Sequence, residues 1–164
     1  MIETIAKVID YVASITPALV FVFSLIQFRI NSERIKNEAT IRAYNELQME
    51  VFSPLNRLLK KYMTYKKGNW VLVPKELKKI DFHSDEWENF TNWLSKIETF
   101  SAGINTGIFS LEILKHVGGH YFVRLYHDLK VIIKRKEEMN ISGGARYAEF
   151  KKVVDELSIS SIKI

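Results

Sequence analysis

Residues Ile9 to Arg29 read IDYVASITPALVFVFSLIQFR, and no charged side chain interrupts them from Tyr11 to Phe28. A bilayer core of about 30 Å takes about 20 mostly apolar residues in a single helix. Val12, Ile15, Leu19, Val20, Phe21, Val22, Phe23, Leu25, Ile26 and Phe28 each favour insertion by roughly 0.3–0.6 kcal/mol near the helix centre. Ser14, Thr16, Ser24 and Gln27 offset part of this, and Asp10 falls at the edge. Pro17 either kinks the helix or starts it with Thr16 as N-cap. The bland alternative is a buried core helix. A cleaved signal peptide fits worse, because Lys7 is offset by Glu3 and Asp10 and no small-residue cleavage site follows the apolar run. We therefore expect a single-pass transmembrane helix, with Tyr11, Pro17, Phe21, Phe23 and Phe28 in the span.

Lys7 precedes the span, whereas Arg29, Arg34, Lys36 and Arg42 follow it. The basic flank stays in the cytoplasm, so the expected topology is N-terminus out and C-terminal domain in. The 164 residues contain no cysteine, which excludes a disulfide framework and thiolate chemistry. From Arg29 onward, 23 basic against 17 acidic side chains leave a charge of about +6.

The remainder reads as an all-α protein, a cytoplasmic helical bundle of about five helices. The expected organisation is 1–30 for the N-terminal segment and anchor, 31–52 for a juxtamembrane stalk helix, 53–158 for the helical domain and 159–164 for a tail. Ser53 and Pro54 suit the start of a helix running to about Lys67. Trp70 to Val73 is β-prone but has no evident partner strand, and is expected as an extended loop on the helices. Ser84 caps the next helix, whose Trp87, Phe90, Leu94, Ile97, Ser101 and Ile104 repeat at steps of three and four. Gly107 ends it. Ser110 caps a short helix closed by Gly118-Gly119. A helix from His120 to about Glu138 follows, and a last one from Ala145 to Leu157.

From Leu94 the chain reads LSKIETFSAGINTGIFSLEILKHVGGHYFVRLYHDLKVIIKRKEE, then ARYAEFKKVVDEL. This pattern resembles a bacterial and phage family known as a domain of unknown function, with an N-terminal membrane helix and a helical cytoplasmic part. The positions that carry the resemblance are Glu98, Gly107, Gly118, Arg135 and Phe150, and it covers a little under half the chain. It implies a bacterial inner-membrane location and a setting in phage–host conflict, and brings no activity, cofactor or catalytic residue.

Glu112, His116 and His120 are spaced four apart, and on an unbroken helix they would line up as metal ligands. Gly118-Gly119 argues for a break between the histidines. Glu98 lies beside an apolar seam and, half-buried, needs a cation; an ion pair with Arg124 or Arg135 is expected. Lys60, Lys61, Lys66, Lys67, Lys78 and Lys79 form one basic cluster, and Lys134, Arg135 and Lys136 another. For a domain under an anionic leaflet, lipid headgroups are a cheaper partner than nucleic acid. No phosphate loop, triad or paired-carboxylate motif is visible, so no cofactor is expected. The expected function is a membrane-tethered interaction or regulatory module, with the bilayer, an unidentified protein or a second copy as partners. The alternatives are a membrane-bound hydrolase using Glu98 or a His116/His120 site, and a self-associating membrane-permeabilising effector.

Overall fold

Helix α1 runs from Ile2 to Leu47, through Pro17, in the computed structural model, which describes residues 2–66, 69–139 and 147–161. The chain divides into two compact units, Met1–Glu38 and Ala39–Ile164. In the first, Leu19, Val20, Phe21, Val22, Phe23, Leu25, Ile26, Phe28 and Ile30 are all exposed, Phe28 by 74%. Leu19 to Phe23 are consecutive, so their side chains point all round the helix. Among the described residues no helix is long and apolar enough to cross a membrane. The side chains at 2–15, Tyr11 among them, and at Ala18 lie outside the described ones. The uncharged run from Leu19 to Phe28 measures about 15 Å as a helix. It does not by itself furnish the span expected over Ile9–Arg29.

In the second unit, the end of α1 is core rather than stalk, which moves the expected boundary at residue 52. Tyr44 and Leu47 are buried, as are Val51 and Phe52 beyond them. The buried hydroxyl of Thr40 accepts the amide hydrogen of Ser110 at 2.7 Å. The chain does not restart at Ser53 either. It continues through a π-helical turn, Gln48–Phe52, into α2, Ser53–Leu59. The Ser53 amide and hydroxyl both donate to the Gln48 carbonyl, the hydroxyl at 2.9 Å. Pro54 cannot donate, and its ring would crowd the carbonyl one turn back; the wider turn accommodates it.

After a 3-10 turn at Lys60–Tyr62 comes the main departure from expectation. Met63–Lys66 is strand β1 and Asn69–Leu72 is strand β2. They pair antiparallel, Met63 opposite Leu72 and Tyr65 opposite Trp70. The partner strand was hidden in what reads as the end of a helix, because Met, Thr and Tyr serve either state once packing decides.

Helix α3 is a single turn, Pro74–Leu77. Helix α4, Asp85–Asn105, starts where Ser84 accepts the Trp87 amide hydrogen at 3.2 Å. It ends before Gly107, whose φ of 79° is the left-handed conformation that favours glycine. Helix α5, Leu111–Val117, is capped by Ser110; α6 is Gly119–Glu138 and α7 is Ala148–Ser161. Helix α7 packs on both α4 and α6. At the centre, the fully buried ring of Phe122 meets Phe150 at 5.0 Å, Phe100 at 5.9 Å and Phe52 at 6.2 Å. One α6 side chain thus ties α7, α4 and the π-helical turn together.

Candidate functional site

Glu98 does not form the ion pair expected with Arg124 or Arg135. Its carboxylate accepts the amide hydrogens of Glu149 at 3.0 Å and Phe150 at 2.8 Å. Both belong to the first turn of α7, where amide hydrogens lack partners inside the helix and an anion is favoured. Tyr147, just before α7, has a φ of 62°, a conformation rare for a bulky side chain. The Asn105 amide donates to the Glu149 carbonyl at 3.1 Å and also to the Glu149 carboxylate. The preceding sequence, Gly-Gly-Ala-Arg-Tyr from Gly143, lacks a capping side chain, and that gap is the signal from which a distant cap could have been sought.

Arg135 is also committed to backbone. Its guanidinium donates to the Leu77 carbonyl at 2.9 Å and the Ile80 carbonyl at 2.8 Å. It lies over the rings of Phe82, at 4.2 Å, and Trp87, at 4.8 Å. The fork shape of guanidinium suits two carbonyls at a helix C-terminus. Arg124 lies over the Tyr121 ring at 5.2 Å.

Glu112, His116 and His120 are exposed, and the chain breaks between α5 and α6 at Gly118. Among the described residues no group of three or more acids and histidines could hold a metal ion. Gly118 is needed for close approach: a Cβ there would stand 1.8 Å from the Tyr44 hydroxyl oxygen.

The basic residues separate into different environments. Lys61 donates to Glu86 at 2.8 Å, and the Tyr62 hydroxyl donates to the other Glu86 oxygen. Lys61 and Tyr62 hold the Glu86 carboxyl below the usual range, while burial and Glu86 push the Tyr62 phenol up to about 12. This pairing, not anticipated from sequence, ties the base of the hairpin to the first turn of α4. Lys60 is exposed. Lys67 and the side chain of Lys66 lie outside the described residues. Lys79 pairs with Glu76, and Lys136 lies 5.8 Å from the Trp87 ring.

The two expected clusters do meet at one place. A groove of about 590 Å³ lies between α3 and α6. Pro74 and Lys78 line one side, and His127, Lys130, Val131, Lys134, Arg135 and Glu138 the other. Positions 127, 130, 131, 134, 135 and 138 follow the three-and-four spacing of one helix face. A second groove, about 330 Å³, carries balanced charges: Lys151 and Lys152 against Glu137 and Asp155.

A family model described as a domain of unknown function (DUF4760) matches residues 14–157. No curated protein and no solved structure matches the chain.

Proposed function

We propose that this chain, which belongs to the DUF4760 family, is a membrane-tethered interaction module. The observation that carries the reading is the exposed helix surface from Leu19 to Phe28, apolar on every side over Leu19–Phe23 and interrupted after that only by Ser24 and Gln27, ahead of a helical unit with its own core. A helix apolar all round is stable only when covered, by protein or by lipid. Arg29, Arg34, Lys36 and Arg42 on its C-terminal flank favour an orientation with residues 39–161 in the cytoplasm.

Binding, rather than hydrolysis, is favoured by where the candidate acids and bases go. Both Glu98 oxygens are occupied by backbone amides, leaving that carboxylate poorly placed to activate water. His116 and His120 lie on different helices, exposed to solvent.

Carbonate washing of membranes at high pH tests the tether. Retention of the chain in the pellet is the expected result, and full release would overturn it. Cross-linking within the bilayer then separates a lone anchor from a self-associating one. A ladder of oligomers that persists on dilution with lipid would favour the permeabilising alternative, which the same exposed apolar helix could serve.

A further inference from the structure

We propose that the groove between α3 and α6 is a binding site for a phosphate-bearing anion carrying at least two negative charges. The inference goes beyond the interaction module proposed above and stands whether or not the chain is tethered. It rests on three features of the groove. The first is its charge: Lys78, Lys130, Lys134 and Arg135 line it, and Glu138 is the one acid among its lining residues. Like charges along one wall repel, and an anion seated between them relieves that repulsion, whereas the second groove is already balanced in charge.

The second is which of these cations are free to turn toward a ligand. Arg135 is fixed on the Leu77 and Ile80 carbonyls and over two aromatic rings, so it adds charge to the wall while remaining in place. Lys130 and Lys134 stand one turn apart on α6, and Lys78 faces them from the end of α3. The contact of Lys134 with Glu138 is long, 3.8 Å, between side chains 75% and 65% exposed. Such a pair contributes little and yields readily to a doubly charged ligand. Ammonium groups on flexible stems suit phosphate oxygens approached from several sides.

The third is size and lining. The volume of about 590 Å³ lies inside the usual range for small-molecule sites, about 300–1,000 Å³. Pro74 and Val131 give an apolar patch among the cations, which suits a ligand with an organic portion beside its phosphates. A soluble phosphorylated compound and a phosphorylated lipid headgroup share this chemistry.

The test uses the purified full chain, in phosphatidylcholine nanodiscs if the apolar helix requires them, titrated calorimetrically with inorganic pyrophosphate. Binding is expected to weaken about tenfold or more in the Lys130→Ala/Lys134→Ala double variant, to be unchanged in Lys115→Ala on α5, and to strengthen in Glu138→Gln. The exposed lysines should leave the thermal midpoint unchanged, so a loss of binding is not a loss of fold. Competition by phosphatidylcholine vesicles doped with phosphatidic acid, absent with plain phosphatidylcholine, assigns the groove to a headgroup. Lysine-dependent pyrophosphate binding without that competition assigns it to a soluble phosphate. No pyrophosphate binding, or binding indifferent to the double substitution, overturns the proposal.

Discussion

Glu98, in the C-terminal half of α4, accepts the amide hydrogen of Phe150 at 2.8 Å, across 52 residues of sequence. With the Glu149 amide at 3.0 Å on its other oxygen, the carboxylate does for α7 what a capping serine does for α4. Helices α4 and α7 are therefore held by a charged hydrogen-bond pair as well as by their apolar faces. Removing the carboxylate strands two amide hydrogens at a helix start. Glu98→Ala should cost about 1–3 kcal/mol, the usual range for losing a hydrogen bond to a charged group or a helix cap. Thermal unfolding measures the cost, and hydrogen exchange at Glu149 and Phe150 locates it. Exchange rates there that match the wild type would sink the capping role.

A second prediction concerns Gly118 and Tyr44. The substituted Cβ of Gly118→Ala would meet the buried Tyr44 ring, with Oη at 1.8 Å and Cζ at 2.2 Å. Overpacking of this kind costs about 1–3 kcal/mol. Tyr44→Leu removes the obstructing atoms, so the double variant should be less destabilised than the sum of the singles. Strict additivity would show that the glycine is needed for some other reason.

The Glu86 contact predicts a pH dependence with a definite sign. Hydrogen bonds from Lys61 and Tyr62 lower the folded-state pKa of this carboxyl. Its contribution is therefore fully present above the ordinary glutamate value, about 4.3, and is lost as pH falls through the lower folded value. The gap in thermal midpoint between wild type and Glu86→Gln should hold above about pH 4.3 and narrow as pH falls below it. A gap of constant size would mean that the carboxylate is not held this way.

Truncation separates the unit seen in the structure from the boundary read in the sequence. A fragment beginning at Asn31 keeps Thr40, Tyr44, Leu47, Val51 and Phe52, all buried, and should be helical with a cooperative unfolding transition. A fragment beginning at Ser53 loses them, including the Phe52 ring against Phe122, and should fail to unfold cooperatively. Equal cooperativity would return residues 39–52 to the role of a stalk.

The sequence alone determined what depends on neighbours within a turn or two. The apolar periods of α4 and α6 were legible, as were the Ser84 and Ser110 caps, the left-handed stop at Gly107 and the break at Gly118. Each follows from side-chain spacing or from a backbone preference that the residue carries with it. Only the tertiary structure decided what depends on distant partners. Met63–Lys66 became a strand because Asn69–Leu72 pairs with it, against a local pattern that reads equally well as helix. Glu98 reads as an acid needing a partner, but that partner is backbone, and amide hydrogens have no residue-type signature to read. The same holds for Arg135 and the carbonyls of Leu77 and Ile80. The groove joins Lys78 to Lys130 and Lys134 because α3 packs on α6, an adjacency that no local spacing encodes.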